Sequence, residues 1–166
     1  MIRDPKTIMI VSDHQKILLI GIGNEFRSDD GIGLIIVRQI QNKQISSITV
    51  KEASGEGAAL MEAWKGYESV ILVDAISSGA KPGTILKIEA SKEIVPAKFF
   101  HCSTHAFGAA EAIELAREMK LMPTRLLVHG IEGVNFSAGV TISQAVQESA
   151  HHVLEQILYK VKGISW

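Results

Sequence analysis

The chain is poor in cysteine, in aromatic residues and in net charge, and each shortage excludes a class of protein. Among 166 residues there is one cysteine, Cys102, so no intramolecular disulfide can form. The 17 lysines and arginines nearly balance the 18 aspartates and glutamates, which argues against a nucleic-acid or anionic membrane partner. No segment reaches the ~18 apolar residues of a membrane span. These shortages predict a soluble, cytoplasmic protein that binds neither nucleic acid nor membrane.

Length and hydrophobic content are those of one ordinary domain. A chain of 166 residues with 46% hydrophobic residues can bury one core, but it is too short for two substantial ones. Residues 1–15 hold an apolar run only at 8–11, which is too short for the core of a signal peptide. We therefore interpret residues 1–15 as an N-terminal extension and predict a single domain over residues 16–162.

Strand and helix patterns alternate along this domain. Apolar runs and alternating segments predict strands at 16–23, 46–53, 69–76, 83–90 and 124–132. Helical spacing predicts helices at 30–43, 55–66, 105–120 and 141–162, with a long loop at 92–104. This order predicts an α/β fold. It is a three-layer, twisted, mostly parallel sheet with helices on both faces, and 83–90 is its antiparallel edge strand.

The stretch GIGNEFRSDDGIG, residues 21–33, links the first predicted strand to the first predicted helix. A glycine turn in this position can bind a phosphate, but Asp29 and Asp30 would repel one. The dinucleotide fingerprint also requires a glycine where Phe26 stands. The pattern therefore disfavours a dinucleotide and favours a cation.

Three segments should meet at the carboxyl ends of the parallel strands, where open α/β sheets bind their ligands. They carry Asp30, Asp74 near the end of the run SVILVDAI, and His105 at the start of a predicted helix. A buried aspartate is costly without a partner, and two carboxylates with an imidazole suit a divalent transition metal. The structural alternatives stay open: Asp74 as a turn cap, and His105 as a helix-start residue bonded to backbone.

Two further classes also place acidic residues at this edge. A phosphoacceptor receiver domain has an acidic pair after its first strand, but the lysine of its pocket is absent from the strand LLVHGIEG. In an intracellular aspartic peptidase, Asp30 and Asp74 would share a proton. Metal binding is the more natural pairing because a histidine is nearby.

Taken in order, GIGNEFRSDDGIG, ILVDAISSGAKPGT and STHAFG resemble the motifs of the hydrogenase maturation proteases, and the resemblance covers about residues 16–160. That family removes the C-terminal extension from the large-subunit precursor of nickel-iron hydrogenases after nickel insertion. The resemblance implies a phosphorylase/hydrolase-like α/β fold, and it implies that this precursor is the partner. It also implies that Asp30, Asp74 and His105 are the catalytic and metal-binding residues. The metal would be nickel presented by the substrate, replaceable by other divalent transition metals such as cadmium. A non-cleaving module that binds the metallated precursor is the alternative.

Supporting roles fall to neighbouring residues. Gly21, Gly23 and Asn24 are expected to shape the turn that aims Asp30. Asp29 is expected to cap the following helix.

This chain departs from many members of that family at ASGEG, residues 53–57, where they have a glycine-rich turn with threonine. Glu56 is therefore either a carboxylate of the substrate cleft or a residue of a helix's first turn. His101 and Cys102 lie beside His105 but are left out of the metal set. The two histidines at 151–152 are expected at the surface of the last helix.

Overall fold

A computed structural model describes residues 16–100 and 106–162. The predicted N-terminal extension, together with His101, Cys102 and His105, lies outside the described residues. Within them, the chain forms five strands: β1 Ile17–Ile22, β2 Ile48–Ala53, β3 Ser69–Ile76, β4 Ile85–Glu89 and β5 Arg125–Glu132. The four α-helices are α1 Ile32–Gln41, α2 Gly57–Trp64, α3 Ala109–Glu118 and α4 Gln144–Val161. In these ranges, no helix is both long and apolar enough to cross a membrane.

The strands form one sheet in the order β2-β1-β3-β5-β4. All neighbours are parallel except β4, which pairs antiparallel with β5 at the edge. The predicted α/β fold with one antiparallel edge strand is confirmed. Because the chain leaves β1 toward β2 and returns to β3 on its other side, the ends of β1 and β3 form the switch point at which such sheets bind ligands.

The core lies on both faces of the sheet, which explains why the central strands are continuously apolar. On one face, Leu72 and its neighbours pack with Trp64 of α2 and Ile113 of α3. On the other face, Ile71 and its neighbours pack with α1 and α4. Alternate residues of β3 thus point into two different clusters, and the strand is anchored from both sides.

The differences from the predicted elements lie at their ends. Helix α3 begins at Ala109 rather than at 105, since Gly108 has an extended backbone and Glu111 accepts a hydrogen bond from its N–H at 3.1 Å. The loop predicted at 92–104 contains a short 3₁₀ helix, Ala97–Phe100. Ser143 is the N-cap residue of α4 by position, but its hydroxyl group donates to another segment.

Candidate active site

The turn after β1 folds back on Asp30. Gly23 has φ 147°, and a Cβ atom there would collide with the carbonyl oxygen of Asp30. The N–H of Asn24 donates to that same carbonyl oxygen at 3.3 Å, and the N–H of Asp30 donates to the carbonyl of Arg27 at 3.2 Å. A side chain at position 23 is therefore incompatible with this turn, and the turn fixes the backbone of Asp30.

Helix α1 begins almost in contact with the sheet. A Cβ atom on Gly33 would meet the carbonyl oxygens of Ile22 and Val73, and one on Gly21 would lie 2.5 Å from the carbonyl oxygen of Gly33. The start of the helix can therefore lie directly over the ends of β1 and β3. Asp30 sits in a 3₁₀ helix, Ser28–Gly31, just before that start.

Asp30 and Asp74 form a buried acidic pair at the switch point, with 7% and 6% of their surfaces exposed. Burial raises the pKa of Asp30, against opposing effects from the Arg27 guanidinium and a backbone hydrogen bond from Asn24. The guanidinium lies 3.9 Å from the Asp30 carboxylate. Burial, reinforced by the negative charge of Asp30, raises the pKa of Asp74 well above its usual range. The two carboxylates therefore lie within electrostatic reach, and holding both ionised without a cation is unfavourable.

The third predicted ligand, His105, lies outside the described residues. The carbonyl of Phe99 accepts from the N–H of Ser77 at 3.0 Å, and that of Phe107 accepts from Gly57 at 2.9 Å. The described residues on either side of 101–105 are thus bonded to segments at the carboxyl edge of the sheet. Within 16–100 and 106–162, no group of three histidine, cysteine, aspartate or glutamate side chains could hold a metal.

Asp29 does not cap the helix that follows it, so this expectation is wrong. The residue is wholly buried, and its carboxylate accepts hydrogen bonds from the backbone of Val134, Asn135 and Ser143 at 2.7–3.0 Å and from the Ser143 hydroxyl at 2.9 Å. Burial alone would raise the pKa of Asp29, but these bonds together lower it. Asp29 instead joins the turn after β1 to the 133–143 loop and to the start of α4.

Glu56 is the N-cap residue of α2, directly before the helix begins at Gly57, whereas the sequence predicted it within the first turn. Its carboxylate accepts hydrogen bonds from the N–H groups of Ala58 and Ala59 at 2.9 and 2.8 Å. This geometry corresponds to the structural interpretation of Glu56, because the carboxylate satisfies N–H groups at the helix start. A contribution of Glu56 to a substrate cleft stays a prediction.

Sequence reasoning overlooked another buried carboxylate at this end of the sheet, in addition to Asp29, Asp30 and Asp74. Glu132, which is 3% exposed, ends β5 and accepts hydrogen bonds from the backbone of Ser78 and Gly79 and from the Ser78 hydroxyl, at 2.7–3.0 Å. It therefore fixes the turn after β3, two residues beyond the strand's end. The signal was the one that identified Asp74, an acidic residue closing an apolar run.

A buried histidine in the same strand was also missed. His129 is wholly buried, and neither ring nitrogen has a hydrogen-bond partner among the described residues. Burial, together with the positive charges of Lys87 and Lys160, lowers its pKa to about 4, so the ring is neutral at pH 7. His151 and His152 are exposed on α4, as predicted.

Fold and site together define a class: an α/β protein with a buried acidic pair at its switch point, suited to acid–base or metal-assisted hydrolysis. A family model described as hydrogenase maturation protease matches residues 35–160. The hydrogenase 2 maturation protease of Escherichia coli K12 is 26% identical over 147 residues, which span 86% of this chain and 88% of that protein. The hydrogenase expression/formation protein HupD of Thiocapsa roseopersicina is 27% identical over 148 residues, 86% of this chain and 66% of HupD.

A solution structure of an endopeptidase from Escherichia coli has the same fold, with a TM-score of 0.75 at 24% identity over 90% of this chain and 95% of that one. The chain belongs to the hydrogenase maturation protease family, and it is an endopeptidase. The matched segment includes the positions of Asp74 and His105 and begins after Asp30.

Proposed function

We propose that the chain removes the C-terminal extension from the large-subunit precursor of a nickel-iron hydrogenase once that precursor carries nickel. One observation carries the proposal: in a chain of this peptidase family, Asp30 and Asp74 form a buried acidic pair at the carboxyl edge of the sheet. We also propose a cytoplasmic reaction, which the single cysteine of the chain supports.

The nickel arrives as part of the substrate, held by the precursor's own cysteines. Asp30, Asp74 and His105 complete its coordination in this proposal. The donor set fits the metal, because carboxylate oxygens and an imidazole nitrogen bind divalent transition metals. Burial also opposes ionisation of both carboxylates, and a cation beside them removes that penalty. The site is therefore complete only when the metal-loaded substrate is bound.

Hydrolysis then uses the same edge of the sheet. Asp30 and Asp74 differ in environment, since Asp30 has the Arg27 guanidinium nearby and Asp74 has the charge of Asp30. Asp74 therefore holds a proton more readily than Asp30 in the free protein. An aspartate that binds metal through one oxygen retains a second oxygen to accept a proton from the attacking water. These properties support an aspartate-dependent peptidase in which the acidic pair both recognises the metal and assists the attack.

The proposal is tested by incubating nickel-loaded and nickel-free precursor with the protein and following the mass of each. We expect the loaded precursor alone to lose its C-terminal peptide. Asp74→Asn should abolish cleavage of the loaded precursor. Glu62→Gln should cleave it as the wild type does, because the Glu62 side chain is 77% exposed on α2.

Two other outcomes would contradict this proposal. Equal cleavage of the two precursors contradicts nickel gating. A stable complex with the loaded precursor and no change of mass indicates a non-cleaving binding module instead.

A further inference from the structure

Three strongly exposed apolar residues lie on the two loops at the carboxyl edge of the sheet. Phe26, Val134 and Val140 have 69%, 57% and 72% of their surfaces exposed. Phe26 belongs to the turn that carries Asp30, and the two valines belong to the 133–143 loop. Single exposed apolar residues are ordinary, but a group of them at one edge beside a reactive pair indicates an interaction surface.

Hydrogen bonds hold these loops in place. The N–H of Gly139 donates to the carbonyl of Phe26 at 2.9 Å, and the N–H of Ser28 donates to the carbonyl of Gly139 at 2.8 Å. The side-chain oxygen of Asn24 accepts from the N–H of Phe26 at 2.9 Å. A surface that is already ordered loses little conformational entropy when a partner binds.

We propose that Phe26, Val134 and Val140 form an apolar rim on which the precursor protein docks as its scissile peptide reaches Asp30 and Asp74. This inference rests on the proposed function, which makes the substrate a protein. Phe26 is four residues from Asp30 in one turn, so a protein that delivers a peptide to the buried pair must cover this turn. The matching surface of the precursor is apolar and flanks the bond that is cut. Apolar contacts around a polar centre exclude water from it.

A single exposed apolar residue elsewhere on the protein provides a matched control. Leu121 follows α3 and is 57% exposed, the same fraction as Val134. It lines a cavity of about 430 Å³ together with Trp64 and Met122. This cavity lies near the start of β5, at the amino ends of the parallel strands, whereas the acidic pair lies near their carboxyl ends. Loss of Leu121 tests whether any exposed apolar side chain affects the reaction.

The experiment is steady-state processing of nickel-loaded precursor by wild type, Phe26→Ser, the double variant Phe26→Ser/Val140→Ser, and Leu121→Ser. We expect Phe26→Ser to raise KM about tenfold, the size of loss typical of an interface anchor. The double variant should raise KM further. The kcat should change less than twofold, because the acidic pair is untouched. Phe26→Leu should have a KM close to the wild-type value, and the KM of Leu121→Ser should equal that of wild type.

Thermal unfolding of each variant checks that the fold is retained, and Val140→Ser alone replaces any variant that fails to fold. An unchanged KM in the folded double variant overturns the apolar rim, as does an equal rise of KM in Leu121→Ser. If wild type leaves the nickel-loaded precursor uncut, the proposed function fails instead. The affinity of the same variants for that precursor then tests the rim, and equal affinity of wild type and double variant rejects it.

Discussion

Asp29 and Asp30 are adjacent in the sequence and have opposite environments. Both lie in a 3₁₀ helix, in which successive side chains point about 120° apart. Asp29 faces the N–H groups of the 133–143 loop, which lower its pKa, whereas Asp30 faces the end of β3, where burial raises its pKa. One aspartate is thus fully hydrogen-bonded within the protein, and the other is available to a ligand.

Replacing Asp74 by Asn should stabilise the folded protein at neutral pH. Burial and the charge of Asp30 raise the folded-state pKa of Asp74, so the folded state binds its proton more tightly than the unfolded chain does. The wild type therefore loses stability as pH rises from about 4, the ordinary aspartate pKa, toward the raised pKa. Asparagine has nearly the same shape and does not titrate. Thermal unfolding should give a Tm for Asp74→Asn that exceeds the wild-type Tm at pH 8.

The gap between the two Tm values should be small at pH 4 and grow toward pH 8. A free-energy difference of 1 kcal/mol corresponds to about 2–4 °C for a domain of this size. Glu62→Gln, at an exposed position, should show no such trend. A gap that is the same at both pH values, or a lower Tm for Asp74→Asn at pH 8, contradicts the interpretation of Asp74 as a destabilising buried acid.

Among the elements, the turn after β1 and the loop after β5 are joined by the Asp29 carboxylate in addition to backbone hydrogen bonds such as that from Ser28 to Gly139. Replacing Asp29 by Ala leaves the N–H groups of Val134, Asn135 and Ser143 without their acceptor. Because hydrogen bonds to a charged group are stronger than neutral ones, we expect a loss on the order of 3 kcal/mol in the free energy of unfolding. Urea denaturation at pH 7 measures it.

Ser143→Ala is the matched control, since it removes only the hydroxyl bond to Asp29. It should lower the free energy of unfolding by about 1 kcal/mol. Similar losses in the two variants would mean that the backbone donors find water, and that Asp29 does not organise the loop.

The strands were predictable because burial on both faces produces apolar runs that local pattern reveals. The runs around Ile20, Leu72 and Val128 gave β1, β3 and β5 within about two residues, and Asp74 stood out as the acid interrupting one of them. The partner of Asp29 was not predictable. Ser143 is 114 positions away, and only the folded sheet brings its N–H within 2.7 Å of the carboxylate. Local pattern suggests a helix cap for any acid at a helix start, and the tertiary contact took precedence here.

At the scale of the whole molecule, the proposed metal site joins the turn after β1, the end of β3 and the segment before α3. A metal held by all three binds the folded chain better than the unfolded one, so cadmium should raise the wild-type Tm. The increase should be larger at pH 8 than at pH 5, because raised pKa values keep Asp30 and Asp74 more protonated at the lower pH. Calorimetric scans with and without cadmium measure both effects.

Asp30→Ala and His105→Ala should each lose the cadmium-induced increase in Tm. His151→Ala is the control for the second variant, because His151 is exposed on α4 and should leave the increase unchanged. If His105→Ala retains the full increase while Asp30→Ala loses it, the acidic pair alone holds the metal, and the histidine must be removed from the proposed ligand set. If both retain it, cadmium binds elsewhere on the protein, and nickel recognition through this edge of the sheet is rejected.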